Sequence, residues 1–355
     1  MAKTAGVVRH GSATNPPNRF ERLHYDFDDA EPIPGEVAPD PKVVYFRDPA
    51  RRIIATNESP DLGFAASINP YRGCEHACAY CYARPTHEYL GLSVGLDFET
   101  RIFVKQQAPE LLRAELTAPG WKPQPIAISG VTDAYQPVER KTQLTRRCLE
   151  VLAEFRNPVA VVTKSRLVTR DADLLAELAR HDAASVSISV TTLDPAVHRA
   201  MEPHTPRPAL RLAAIEALAR AGIPVGVLVA PVVPGLTDHE LPRILEAAAQ
   251  AGATHAGYVV LRLPHGTKEL IEAWLERAFP DRKQKVLGRL RALRDGALYD
   301  PRFGTRQRGT GIFAEQIAQL FETGLRRAGL APHHMSLSTA AFRRPAATRP
   351  QMDLF

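Results

Sequence analysis

The sequence predicts an α/β protein built on parallel strands. From Phe64 onward, short apolar runs rich in β-branched residues alternate with amphipathic stretches of helical period, the pattern of successive βα units. The chain has 355 residues, 45% hydrophobic and 24% charged. That is enough to bury one barrel-sized core with extensions, in a composition ordinary for a globular protein.

The elements follow in order. Residues 1–62 are rich in proline and polar side chains and predict an irregular N-terminal arm, with one short strand at Val43–Phe46. A core is expected over 63–280. Its strands are Phe64–Ile68, Ile126–Ser129, Val159–Thr163, Val186–Val190, Val225–Val229 and Gly257–Leu261. Helical patterns fall at 141–155, 172–180, 208–221 and 239–251, with Asp238 placed to cap the last. Residues 281–331 predict a basic helical extension, and 332–355 a flexible tail rich in Pro, Arg, Ala and Ser. No apolar run approaches the roughly 18 residues a membrane span requires. The first twenty residues lack the apolar segment of an export signal, so a cytoplasmic location is expected.

Three of the four cysteines lie within eight residues, in "SINPYRGCEHACAYCYAR": Cys74, Cys78 and Cys81, spaced C-x3-C-x2-C. One loop can turn three thiolates toward a single centre, and iron–sulfur clusters are held by such thiolates. A 4Fe–4S cube with three cysteine ligands leaves one iron open. The alternative is a structural zinc site closed by His76 or His87, in a non-enzymatic nucleic-acid binding protein. Such modules are small, whereas this loop opens a long strand–helix series. Cys148 lies inside a helical pattern and reads as core.

With Tyr80 immediately before the third cysteine, the motif resembles the signature of the radical S-adenosylmethionine (SAM) superfamily. The resemblance implies a partial (β/α)6 TIM-like barrel with the cysteine loop after its first strand, at the C-terminal mouth. It implies that the open iron chelates the amino and carboxylate groups of SAM. An electron from a low-potential donor such as flavodoxin or ferredoxin then cleaves the cofactor to methionine and a 5′-deoxyadenosyl radical. Tyr80 and the backbone at Val232 and Val233 would lie against the adenine. Superfamily members often carry a Gly-Gly-Glu type segment after the second strand for the SAM ammonium. Here "SGVTDAYQPVE" departs from it, leaving Thr132 and Asp133 in its place and Glu139 as a second candidate.

The wording of "NPYRGC", "VTDAYQP", "TKS" and "PGLTD" resembles the spore photoproduct lyase-like, or DNA repair photolyase-like, branch over roughly residues 64–265. That branch implies Lys164 and Ser189 as further SAM contacts, and a lyase-like reaction on nucleic acid. One departure is plain: the lyase's hydrogen-donating cysteine has no counterpart beside Gly130. Small-molecule and protein substrates stay open.

The formal charge of +6 is uneven. Beyond residue 280 there are 14 Lys/Arg against 6 Asp/Glu, and before it 31 against 33. Arg302, Arg306 and Arg308, interleaved with Tyr299 and Phe303, suit phosphate contact with base stacking. The closing "QMDLF" is similar to the motif by which bacterial repair proteins dock on the DNA sliding clamp, with Gln351, Met352, Leu354 and Phe355 as the contacts.

Overall fold

The computed structural model describes residues 9–20, 42–333 and 336–345. Strands β1 (Val44–Arg47), β2 (Ile54–Thr56), β3 (Ala66–Ile68) and β4 (Tyr71–Arg72) precede helix α1 (Leu96–Thr100), strand β5 (Arg101–Val104) and helix α2 (Ala108–Thr117). Strict alternation then begins with β6 (Ile126–Ile128), α3 (Glu139–Thr142), α4 (Leu144–Phe155), β7 (Val159–Thr163), α5 (Ala172–Ala179) and β8 (Ala184–Ser189). It continues through α6 (Pro195–Met201), α7 (Pro208–Arg220), β9 (Val225–Val232), α8 (Leu241–Gln250) and β10 (His255–Val260). The chain closes with α9 (Thr267–Ala278), α10 (Pro280–Ala292), α11 (Ile312–Ala328) and β11 (Ala331–Pro332).

The main sheet runs β11-β10-β9-β8-β7-β6-β3-β2 among the described residues. Every neighbouring pair is parallel except β2–β3, which is antiparallel. The six strands expected from the sequence are its central members, in chain order. Their ends differ where the ladder rather than the apolar run decides. Ala184 is drawn into β8 by pairing with Val159, and β9 runs on to Val232, which pairs with Val260.

The strands read as near-continuous Val, Ile and Ala because helices cover the sheet. In α4, Leu144, Cys148, Leu149, Leu152 and Phe155 are buried along one stripe. Its outer face is laced to α2 by Arg147–Glu110 and Arg113–Glu154 pairs. Each fully buried Val or Leu of this layer contributes about 1.5–3 kcal/mol. Cys148 is wholly inside it.

A second sheet, β1-β5-β4, has no counterpart in the sequence expectation beyond the short strand near Val43. It carries Tyr71–Arg72 directly into the cysteine loop, with Arg72 Nε donating to Asp48 at 2.7 Å.

Three expectations are corrected. Asp238 does not cap α8: it opens a 3-10 turn, and its carboxylate pairs with Arg289 at 2.7 Å. Residues 336–345, assigned by composition to a flexible tail, are tied down because Phe342 supplies an apolar anchor against the core. Ser338 N–H donates to Asp182 O at 2.9 Å, Arg343 N–H to Phe155 O at 2.9 Å, and Arg344 Nη2 to Trp121 O at 2.9 Å. The arm, described over 9–20, is built into the cysteine loop as set out below. Gln351–Phe355 lie outside the described residues. Among those described, no helix is long and apolar enough to cross a membrane.

His255, at the start of β10, stacks on His333 with ring centroids 5.2 Å apart. Burial, reinforced by His333, lowers its pKa from 6.5 to about 4. The unfolded chain therefore takes up this proton first, and stability declines as pH falls from about 6.5 toward 4. Urea unfolding of His255→Asn across that range is expected to give a flatter pH dependence than the parent.

Candidate active site

The cysteine loop follows β3 and β4 at the C-terminal edge of the parallel strands. Cys74 and Cys78 are buried and Cys81 is partly exposed. Successive turns bring their backbones round: Ala77 N–H donates to Cys74 O at 3.2 Å, and Cys81 N–H to Cys78 O at 3.3 Å. Ala77 takes a left-handed φ of 52° to do so. Burial is the main cause holding the Cys74 thiol well above its ordinary pKa, with Asp133 and the other cysteines adding to it. Burial likewise pushes Cys78 up to about 12, partly opposed by the Lys164 charge. Thiolates in this setting call for a positive centre among them.

Arg84 clamps the loop from behind. Its guanidinium is fully buried and donates to Cys78 O at 2.8 Å, Val94 O at 3.1 Å and Gly95 O at 2.9 Å. It pairs with buried Glu99 at 2.5 Å. Burial alone would raise the Glu99 pKa, but Arg84, His10 and the Ser12 amide together outweigh it and the shift is downward. Ser12 N–H and His10 Nδ1 contact the same carboxylate at 2.8 and 3.1 Å.

Residues 9–20 are thus a wall of the site. A β-carbon on Gly11 would collide with the Ala77 carbonyl oxygen and stand 2.8 Å from Ala79 N. One on Gly95 would strike the Thr14 carbonyl oxygen. Two asparagines of this segment, Asn15 and Asn18, hold it in place. Asn18 Nδ2 donates to Glu88 O and Leu92 O, and Asn15 exchanges hydrogen bonds with Asp97.

On the mouth side, the structure brings together Tyr80, Lys164 and Ser189. Lys164 Nζ lies 5.8 Å from the centre of the Tyr80 ring. Burial would lower the lysine's pKa, but Cys78, Glu202 and Asp133 outweigh it and the shift is upward. Two residues that sequence reasoning passed over complete the set. Glu202, fully buried, accepts from the Tyr80 hydroxyl and from Arg211 Nη2. Arg211 also donates to Ser189 O at 2.9 Å, fixing the end of β8. Burial opposes the Glu202 charge, yet Arg211 and Lys164 hold its pKa down at about 2. The available signal was "MEPHTP", a polar break directly after the fourth strand and α6.

Asp133 is placed differently from the expectation. Its carboxylate already takes Thr163 Oγ1 at 2.7 Å, Lys164 N–H at 2.8 Å and Tyr135 N–H at 2.9 Å, with His76 Nδ1 at 3.3 Å. Burial would raise its pKa, and His76 with these donors drives it well below the carboxylate range. It ties the ends of β6 and β7 together. Thr132 Oγ1 is 3.4 Å from Tyr71 O, and the Val232 carbonyl accepts from Leu261 N–H at 2.9 Å. Glu139 is buried among Tyr71, Arg170 and the Thr145 amide. His87 Nε2 donates to Arg101 O at 2.9 Å, and His76 faces Asp133, so both histidines weighed as zinc ligands have structural partners. Among the described residues no three His, Cys, Asp or Glu side chains gather as a site for a single metal ion.

The basic loop Tyr299–Gly311 uses its arginines internally. Arg302 pairs with Asp300 and Asp295, Arg306 with Asp61, and Arg308 lies 3.6 Å over the Tyr258 ring. The free cations lie elsewhere. A cleft of about 640 Å3 opens beside the cysteine loop, lined by His76, Arg140, Ser165, Arg166, Arg170 and His204. Arg140 and Arg166 are exposed there, and among the described residues no carboxylate pairs with either.

Parallel strands ending in a cysteine loop, with charged side chains at the neighbouring strand ends, are the architecture of an α/β protein with a site at its C-terminal strand edge. Residues 68–248 match the family described as the radical SAM superfamily, and the chain belongs to that superfamily. Membership implies an enzyme that uses an iron–sulfur cluster and SAM. An uncharacterized protein of Mycobacterium tuberculosis is 41% identical over 232 residues, 64% of this chain and 68% of its own. One from Methanocaldococcus jannaschii is 28% identical, over 56% of this chain and 71% of its own. The fold is similar to a mutant spore photoproduct lyase with bound AdoMet and dinucleoside spore photoproduct, with a TM-score of 0.60 and 16% identity. That match covers 83% of this chain and 82% of the other.

Arg84→Met is expected to cost about 3–5 kcal/mol in urea unfolding, because it strands the buried Glu99 charge. Gly11→Ala is expected to raise amide exchange across residues 74–81, read by mass spectrometry, while global stability falls less than in Arg84→Met.

Proposed function

We propose that this protein holds a 4Fe–4S cluster on Cys74, Cys78 and Cys81, cleaves SAM reductively and acts on nucleic acid. The observation that carries the reading is one juxtaposition. Three thiols on one loop at the C-terminal strand edge stand with Lys164, whose Nζ lies 5.8 Å from the ring of Tyr80 in that loop, beside a cleft lined by His76 of the same loop and by unpaired Arg140 and Arg166. The donor set fits the group: three sulfur ligands on one buried loop, in a site where burial penalises thiolates without a positive centre.

Bound there, the cluster and SAM would supply an electron to a carbon–sulfur bond and a 5′-deoxyadenosyl radical. The chain's own residues do the rest. Lys164 offers a half-buried positive charge to the methionine carboxylate, and Ser189, its backbone pinned by Arg211, offers a hydroxyl. Tyr80, locked through its hydroxyl to Glu202, presents its ring as a wall for the adenine. Asp133 is a positioning residue: it orders the Lys164 backbone, and Thr132 is left to meet the ammonium. Val232 and its neighbour Val233 extend the apolar wall.

Residues 63–280 form the catalytic unit in this reading, with 281–331 packed on it as an extension. For the substrate, Arg140 and Arg166 suit phosphates, and the similar fold that holds a dinucleoside lesion supports the same class. The chain has no cysteine beside Gly130, so the hydrogen donor differs from the lyase's. Clamp docking through Gln351–Phe355 stays part of the proposal.

Anaerobic reconstitution with iron and sulfide, reduction by dithionite and addition of SAM is expected to yield 5′-deoxyadenosine, and more of it with damaged DNA. Cys81→Ala is expected to lose iron and product while staying folded by circular dichroism. Lys164→Met is expected to weaken SAM binding about tenfold or more with cluster content unchanged. Arg140→Glu/Arg166→Glu is expected to weaken DNA binding at least about tenfold and to flatten its salt dependence. No product from a fully loaded cluster overturns the reading.

A further inference from the structure

A second groove, of about 690 Å3, lies between α10, α11 and the turn after β9, on residues that no step above uses. Its rim is basic. Arg282 and Lys285 are exposed, and among the described residues no hydrogen bond or ion pair engages either side chain. Arg289, on the same face of α10, is held by Asp238 at 2.7 Å and lies over the Phe313 ring at 5.0 Å. Beneath them the floor is apolar, from Leu236 and Phe279 to Leu320, which is 38% exposed. Gly235 makes room for the cations: a β-carbon there would stand 3.2 Å from the Lys285 stem and 3.3 Å from that of Arg289.

The adjoining face of α10 looks inward. Val286, Leu287 and Leu290 belong to one continuous apolar cluster with Cys78, Ala79, Tyr80 and Val233. A single helix therefore bridges the unpaired surface cations and the layer that encloses the cysteine loop.

We infer that this groove is the docking surface for an acidic, low-potential one-electron carrier protein. The inference rests on the radical SAM reading, because that chemistry requires an electron from outside the chain. On docking, the carrier would lose one electron, and the iron–sulfur cluster that Cys74, Cys78 and Cys81 would hold would gain it. Three features favour a protein partner over nucleic acid. The cations stand beside exposed Leu320 and half-buried Phe279, as in the core and rim of a protein interface. The groove also holds Asp194, whose carboxylate accepts only backbone amides, so its charges are mixed in a way that a protein surface can match and a uniform polyanion cannot. And the apolar layer behind it leads to the cysteines rather than to the open cleft at Arg140 and Arg166. Charge complementarity of this kind governs encounter rate and salt dependence.

The test uses reconstituted enzyme and flavodoxin as the acidic carrier. Titration calorimetry is expected to show binding that weakens with salt, and at least about tenfold weaker binding for Arg282→Glu/Lys285→Glu. Flavodoxin-driven 5′-deoxyadenosine formation is expected to fall with it, while dithionite-driven formation and cluster content match the parent. Equal flavodoxin affinity in parent and variant overturns the proposal. So does a variant that loses DNA affinity but keeps flavodoxin, which would assign the face to nucleic acid. Absence of product with dithionite in the parent would fault the radical SAM reading instead, and the binding comparison would still decide the surface.

Discussion

The site depends on one buried ion pair. Arg84 is enclosed on every side and spends its five donors on Glu99 and on the carbonyls of Cys78, Val94 and Gly95. A guanidinium suits this task because its planar fork satisfies several acceptors at fixed angles without needing solvent. Glu99 in turn gathers the N-terminal segment through His10 and Ser12. The pair does not exist to strengthen the fold, since such pairs roughly break even against apolar packing. It sets the shape of a loop that has little regular structure of its own.

The loop is held from the other directions as well. Gln136 accepts from Glu75 N–H at 2.9 Å and donates to Gly73 O at 3.1 Å. Glu75 reaches across to the Val138 amide at 2.8 Å, His204 Nδ1 donates to Glu75 O at 2.9 Å, and Ala79 N–H donates to Met201 O at 3.0 Å. These partners come from the segments after β6, α6 and β8. The cysteine loop is thus shaped by segments as much as 129 residues away in the chain. A second buried charge set, Tyr80–Glu202–Arg211, extends the same scheme to Ser189 and Lys164. Each charge in it is matched, which is how a low-dielectric site keeps ionised groups.

The parts of this site that were legible in advance were those with local signatures. Cys74, Cys78 and Cys81 declare themselves by spacing, while Lys164 and Ser189 come forward as candidates through the resemblance of the strand-end segments that carry them. Glu202 and Arg211 were not legible, because their importance comes from burial and mutual pairing. Neither is set by neighbours in the chain. For Asp133 the sequence shows a carboxylate at the strand end but not the Thr163, Lys164 and Tyr135 donors that occupy it. Arg302, Arg306 and Arg308 mislead for the opposite reason. A run of arginines looks free in one dimension and proves to be paired with Asp61, Asp300 and Tyr258 in three.

By itself the sequence determined where the central strands fall, the core stripes and the thiol-bearing loop, because apolar periodicity and cysteine spacing act over a few residues. The tertiary structure alone decided the second sheet that feeds the loop, the wall built by residues 9–20 and the identity of the unpaired cations. Those depend on contacts between distant segments: Gly11 against Ala77, Arg84 against Glu99 and Arg289 against Asp238. The physical reason is burial. It removes water as a partner, so each polar group must find its match wherever the fold brings one.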